Sequence, residues 1–314
     1  MILKKTIMKK FTEHDVVGEE HWARKGDNTK IFLWNKYTGD PINSVGTLVF
    51  VHGSSMASQP TFDLHIEGRP FSSAMNYFAT QGFDTWCVDM EGYGRSDKDR
   101  DSYFFISDGA DDLEVACQYI KNIRSIEKVH MYGISSGALR ASLFAQRNPA
   151  MINRLAMDAM VWTGEGSPTL ENRRKKLEEF KANKRRPINL DFIRSIFSRD
   201  HTGCAEESVI EGFAKAICEL DTSIPNGTYI DMCENLPIVD PEQLTMPCLV
   251  MRGQWDGIAA MGDLLKFFER IPNPDKQFIV MPGVSHASFQ QKNYMMVYHI
   301  LNSFLSQASP NYLG

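Results

Sequence analysis

The apolar positions along the chain fall into two alternating patterns. Short unbroken apolar runs bounded by Gly, Pro, Asp or Asn mark strands covered on both faces, and longer stretches with apolar residues three or four apart mark helices lying on a sheet. The runs at residues 47–51 (TLVFV), 83–89, 128–132, 154–160, 247–252 and 277–281 read as buried strands. Two polar-edged segments at 20–23 and 30–35 read as an antiparallel start to the same sheet. Helical spacing fills 70–81 and 110–123 and resumes after residue 136 and after each of the last two strands. The pattern therefore predicts an α/β fold, with eight strands in a mostly parallel sheet and helices on both faces.

Between Trp162 and about Leu244 the alternation stops. Charged helical segments at 170–183 and 207–220 take over, broken by Pro187, Pro225 and Pro237, and no good strand is visible. This predicts a helical insertion after the sixth strand, lying over the carboxyl edge of the sheet where open α/β folds bind ligands. The expected organisation is an N-terminal extension at 1–19, a core domain formed by 20–163 and 245–314, and a helical cap, or lid, at 164–244. The basic clusters RRKK at 173–176 and KRR at 184–186 alternate with glutamates and read as solvated helix faces, the lesser alternative being attraction of an anionic substrate.

Composition narrows the classes. At 314 residues and 43% hydrophobic content the chain can bury a large core, and its net charge of −5 argues against a general nucleic-acid binder. The basic start MILKKTIMKKFTEHD lacks the continuous apolar stretch of a secretory signal, and no segment approaches the roughly 18 apolar residues of a membrane span. The expectation is a cytoplasmic protein with no membrane partner; a homo-oligomer is left open. The six cysteines form no C-x-x-C pair, so neither disulfides nor a zinc site is expected, and no metal or cofactor is called for.

The candidate chemistry begins at VHMYGISSGALRAS (129–142), where an apolar run stops at GISSG and helix formers follow. A G-x-S-x-G pattern between a strand and a helix fits a sharp turn holding Ser135 at its apex, although Gly and Ser are also ordinary turn residues. A serine hydroxyl is a weak nucleophile, so it needs an imidazole to take its proton and a carboxylate to orient that imidazole. Asp256 (RGQWDGIA) and His286 (MPGVSHASF) each follow a predicted strand and supply the order Ser, Asp, His. Asp158, ending the preceding strand, is the competing acid. The oxyanion that acyl chemistry creates needs N–H donors, expected from Ser136 and, in the loop VHGSSMAS, from Ser54. His52 is then expected to orient that loop rather than act as a base, and Asp89, Gly92, Gly94 and Ser96 of DMEGYGRSD to set a tight loop beside it.

Taken together, HGSS, DMEGYGRS, GISSG, the WD of GQWDG and the SH of PGVSH resemble the ordered motif set of the α/β-hydrolase superfamily with a cap inserted after the sixth strand. The resemblance spans residues 20–163 and 245–308. It implies Ser135 as nucleophile, Asp256 as acid, His286 as base, and Ser54 and Ser136 as oxyanion donors. Ser135 departs from the Asp elbow of haloalkane dehalogenases and epoxide hydrolases. Ser136 departs from the G-x-S-M-G of carbon–carbon bond hydrolases and haloperoxidases, and the G-G-S-W-G of proline iminopeptidases is absent. The resemblance leaves hydrolysis of a small or medium, partly apolar carboxylic ester, with Met56, Trp162 and Trp255 near the pocket. Acyl transfer, carbon–carbon hydrolysis and a non-catalytic ligand receptor are the alternatives.

Overall fold

The apolar runs are strands, and their neighbours in space follow from the α/β alternation. In the computed structural model, which describes residues 11–312, the strands are β1 (Val16–Arg24), β2 (Lys30–Thr38), β3 (Thr47–Val51), β4 (Asp84–Val88), β5 (Val129–Ile134), β6 (Ile152–Asp158), β7 (Arg185–Pro187), β8 (Ser223–Pro225), β9 (Cys248–Gly253) and β10 (Lys276–Met281). The helices are α1 (Ser58–Phe62), α2 (Ala74–Thr80), α3 (Ile106–Arg124), α4 (Ser136–Arg147), α5 (Pro168–Arg174), α6 (Leu177–Ala182), α7 (Leu190–Ser195), α8 (Glu207–Leu220), α9 (Gly227–Ile230), α10 (Met261–Arg270) and α11 (Tyr294–Ser306).

Eight strands form one sheet in the order β1-β2-β4-β3-β5-β6-β9-β10. Only β2 runs against its neighbours β1 and β4, and every pair from β4 to β10 is parallel. This is the α/β-hydrolase architecture that the sequence predicts. Successive residues of a strand face opposite sides, and β3 shows the result. Val49 and Val51 join the core beneath α3, α4 and α10, whereas Leu48 and Phe50 join the one beneath α2 and α11. Both faces of the central strands are dry, which is why those strands read as unbroken apolar runs.

Differences from the sequence reading have local causes. Residues 16–19, expected in the N-terminal extension, already pair with Asn35–Thr38 as the first part of β1. Glu13 just before them accepts from the Phe71 N–H and the Asn76 amide, both at 3.2 Å; residues 1–10 of the extension lie outside the described residues. Helix α2 begins at Ala74 because the Ser73 hydroxyl caps it, accepting from Asn76 N–H at 3.0 Å. The helical segment expected at 170–183 is two short helices, and the insertion, in which no strand was expected, carries the antiparallel ribbon β7–β8. Each of its strands is three residues long and ends in proline, too short for any periodicity to register. Among the described residues no helix is long and apolar enough to cross a membrane, and the six cysteines are free.

The chain leaves the core for the insertion over a single carboxylate. Asp263, in the first turn of α10, accepts from the backbone N–H groups of Trp162 (2.9 Å), Thr163 (3.1 Å) and Gly164 (3.2 Å) and from the Thr163 hydroxyl (2.5 Å). Removing it strips several buried donors of their acceptor. Asp263→Ala is therefore expected to lower unfolding stability by about 3 kcal/mol, read as a lower denaturant midpoint at unchanged slope; a loss below about 1 kcal/mol would show that the exit does not depend on this residue.

Candidate active site

Strand β5 ends in a turn that ordinary residues cannot make. Ser135 takes φ 57°, ψ −125°, a sparsely populated region for a side-chain-bearing residue. The flanking glycines make it feasible. A Cβ on Gly133 would stand 2.4 Å from the Gly137 carbonyl oxygen, and one on Gly137 would stand 2.2 Å from that of Val51. The Ser135 N–H donates to the Asp158 carbonyl at 2.8 Å, and its own carbonyl accepts from Ala138 N–H at 3.0 Å, tying the turn to β6 and to α4. Its hydroxyl makes no hydrogen bond among the described residues.

The loop after β3 lies directly against this turn. A Cβ on Gly53 would come within 3.4 Å of the Ser135 Cβ, and the Ser54 hydroxyl donates to the Ser136 hydroxyl at 2.7 Å. Ser136 is the first residue of α4, so its N–H has no intrahelical acceptor. The Ser54 N–H also finds none among the described residues. His52 is fully buried: its Nε2 accepts from Met90 N–H at 3.1 Å, which leaves Nδ1–H to donate to the Gly53 carbonyl at 2.8 Å. Burial and the nearby Arg140 push its pKa down to about 3, so the ring is neutral and both nitrogens are committed to holding loops.

The neighbouring loop closes around Asp89. Its carboxylate accepts from Ser58 N–H (2.7 Å), the Ser58 hydroxyl (2.6 Å) and Arg95 N–H (2.8 Å). A Cβ on Gly94 would sit 2.2 Å from one of its oxygens. Gly92 at φ 88° completes the turn, and Ser96 donates to the Asp89 carbonyl at 2.6 Å.

Behind Ser135, His286 Nδ1 bonds Asp256 Oδ2 at 3.0 Å. The other Asp256 oxygen accepts from Ile258 N–H (2.8 Å) and Ala259 N–H (3.1 Å). Burial works to raise the Asp256 pKa, but His286 and the two N–H donors outweigh it and hold the carboxylate ionised. Among the described residues the Asp158 side chain makes no hydrogen bond to His286 or to Ser135. It accepts instead from the Tyr132 hydroxyl at 2.7 Å, and burial raises its pKa to about 7, despite that hydrogen bond. The competing acid is thus a buried group packed beneath the turn.

Ser135 and His286 line one small cavity of about 20 Å³ with Ser54, Ser55, Met56 and Ile196, closed by Arg173 and Arg199 from the insertion. No hydrogen bond joins the Ser135 hydroxyl to His286 in this structure; such bonds often tighten only when substrate is bound. Of the three expected pocket residues, Met56 lines this cavity. Trp162 is instead buried at the exit to the insertion, donating to the Val239 carbonyl at 3.1 Å and packed on Phe267. Trp255 lies 42% exposed, stacked on His201 at 4.4 Å.

The insertion supplies what the sequence reading missed. A cavity of about 550 Å³ lies within it, bordering the smaller one through Arg173, Ile196 and Arg199 and lined also by Arg186, Tyr229 and Asp200. The two basic clusters, expected on solvated helix faces, thus send Arg173 and Arg186 inward. Their presence was legible in the sequence; their direction was not, because adjacent cations point to several sides of the chain, whether it ends a helix as at Arg173 or forms a strand as at Arg186. Atoms of Asp200, Asp256 and His286 lie within 4.8 Å of one another, a grouping that could hold a metal ion. Asp256 and His286 are already bonded to each other, and Asp200 is held by both nitrogens of an Arg199 fork at 2.9 and 2.8 Å.

A family model described as serine aminopeptidase, S33, matches residues 46–293. The chain belongs to this family of α/β-hydrolases. No curated protein matches it in sequence. Among solved structures it is similar to a malate-bound thermophilic esterase from Thermogutta terrifontis (19% identity, TM-score 0.67, 91% of this chain and 98% of that one) and to an esterase from Exiguobacterium antarcticum (18%, 0.68, 92% and 100%). It is likewise similar to 2-hydroxy-6-oxo-6-phenylhexa-2,4-dienoate hydrolase from a Rhodococcus species (17%, 0.67, 93% and 100%). At these identities the likeness is one of fold.

The raised Asp158 pKa makes a stability prediction. The native hydrolase holds a proton near pH 4 to 7 that the unfolded chain has released, so the contribution is complete below about pH 4 and is lost as pH rises through about 7. Asp158→Asn has no such group. Its stability relative to the parent is expected to improve across that window by an amount on the order of 4 kcal/mol, measured by urea unfolding at pH 4.5 and 8; a pH-independent difference would show that Asp158 is ionised in the native state.

Proposed function

We propose that this chain is a serine hydrolase cleaving small or medium carboxylic esters through an acyl-enzyme. The observation that carries the reading is that a strained turn presents Ser135 to the same cavity as His286, whose far nitrogen is bonded to the buried Asp256. In this reading the Ser135 oxygen attacks the ester carbonyl while His286 takes its proton. Asp256 fixes the imidazole tautomer and stabilises the imidazolium. The carbonyl oxygen, now an oxyanion, accepts from the N–H groups of Ser54 and Ser136. His286 then protonates the departing alcohol, and water, deprotonated by the same imidazole, releases the acid. Residues 164–244 act as the cap that walls the site from solvent.

Ester cleavage is favoured over aminopeptidase activity by the charge of the walls. A free α-ammonium group needs carboxylates facing it, whereas the cavities here are bordered by Arg173, Arg186 and Arg199, and of the two acids lining the larger one Asp200 is paired with Arg199 and Glu179 is solvent-exposed.

Ser135→Ala is expected to abolish both p-nitrophenyl butanoate turnover and fluorophosphonate labelling without unfolding the protein; retention of more than a few per cent of turnover would overturn the assignment. Asp256→Asn should keep the fold and lose roughly a thousandfold or more in kcat through the wrong imidazole tautomer, and a variant within tenfold of the parent would remove Asp256 from the mechanism. Labelling without turnover until an alcohol or thiol is added would identify an acyltransferase instead.

A further inference from the structure

Arg173 is the unusual group of the insertion. Its Nη1 is buried without a hydrogen-bond partner, and among the described residues the side chain makes no hydrogen bond and no ion pair. Its one close partner is the ring of Tyr229, 4.1 Å from guanidinium carbon to centroid. Burial disfavours its charge, as do Arg199 and Arg186 nearby, while the Tyr229 phenol favours it. The neighbouring arginines are differently placed. Arg186 lies over Tyr229 at 3.5 Å and spends its two terminal nitrogens on the carbonyls of Pro225 (2.6 Å) and Ser54 (3.1 Å), the Asn226 side chain (3.0 Å) and the Ser55 hydroxyl (3.2 Å), its Nε alone lacking a partner. Arg199 is neutralised by Asp200. Arg186 is thus held by neutral acceptors and Arg199 by an acid, whereas the Arg173 guanidinium has neither, and it borders both the cavity of Ser135 and the larger one in the insertion.

A half-buried cation with no carboxylate partner is costly to keep, and the protein offers this one only the phenol of Tyr229. Even Tyr229 registers the field: burial would raise its phenol, but Arg173 and Arg186 bring it down to about 7. The rest of the cavity wall includes Phe180, Phe192 and Ile196, suited to a short apolar chain. We propose that Arg173 binds a carboxylate carried by the substrate itself, so that the ester cleaved at Ser135 is one whose acyl or alcohol part ends in a carboxylate reached through an apolar spacer. A single free fork matches the two oxygens of a carboxylate. With Arg186 bonded to neutral acceptors and Arg199 neutralised, the Arg173 fork is the one open to an anion. This rests on the serine-hydrolase reading for the scissile bond, and on the cavity and Arg173 alone for the anion.

Two ester pairs test it. Mono-p-nitrophenyl adipate is compared with its methyl diester for a carboxylate on the acyl side, and 3-butanoyloxybenzoate with its methyl ester for the alcohol side. The protein is expected to prefer the anionic member of at least one pair by roughly tenfold or more in kcat/KM, with that ratio falling to about one in Arg173→Gln and partly retained in Arg173→Lys. Arg173→Gln should unfold at the same or a higher temperature than the parent, because it removes an uncompensated charge. Monomethyl adipate should raise the unfolding temperature of Ser135→Ala but not of the double variant with Arg173→Gln. No anionic preference in either pair, a preference that survives Arg173→Gln, or a variant that fails to fold would each overturn the anion site, the last by making Arg173 a packing residue. Absence of turnover and labelling in the parent would defeat the serine-hydrolase reading instead, and the thermal shift on Ser135→Ala would still decide the anion site.

Discussion

The backbone of one residue constrains everything else in this site. Ser135 is held at positive φ between a strand and a helix, and the turn closes only because Gly133 and Gly137 leave their side-chain positions to backbone oxygens of α4 and of the β3 loop. The same tightness brings the β3 loop against the serine and points the first N–H groups of α4 toward it. Because β5 lies between β3 and β6, with β9 and β10 beyond, the loops that follow these strands converge on one edge. The imidazole after β10 and the carboxylate after β9 therefore meet there although they are distant in sequence from the serine.

Around this edge buried polar groups are almost all spoken for, and the order of commitment is informative. His52, Asp89 and Asp263 each hold a loop by accepting from backbone N–H groups. Asp256 satisfies both oxygens and keeps its charge. The insertion is joined to the site by hydrogen bonds as well, since Arg186 donates to the Ser54 carbonyl and the Tyr229 hydroxyl meets that of Ser55. These contacts hold the loop that packs against the serine, so the insertion supports that loop. Against that background an arginine with no polar partner stands out.

The sequence by itself determined the sheet, the point of insertion and the serine turn, because each rests on a local rule. Strands buried on both faces must be apolar throughout, so β3, β4, β5 and β9 were visible as runs, and a turn that crowded demands glycine at both flanks of Ser135. The order of Asp256 and His286 after the strands was legible for the same reason. The β7–β8 ribbon was not, having three residues a side, and β1 began earlier than its polar edge suggested because an outer strand carries no continuous apolar signal.

Only the tertiary structure decided which of two strand-end carboxylates serves His286. Asp158 and Asp256 look alike in sequence, yet one is buried against Tyr132 beneath the turn and the other lies 3.0 Å from the imidazole. It likewise decided the fate of the aromatic and basic residues, sending Trp162 to the exit hinge, Trp255 to the surface, and Arg173 and Arg186 inward around Tyr229. Which direction a side chain faces in a loop or a short, proline-broken element depends on what packs against it. That partner is chosen by the fold of the whole chain, and no spacing of neighbours along the sequence encodes it.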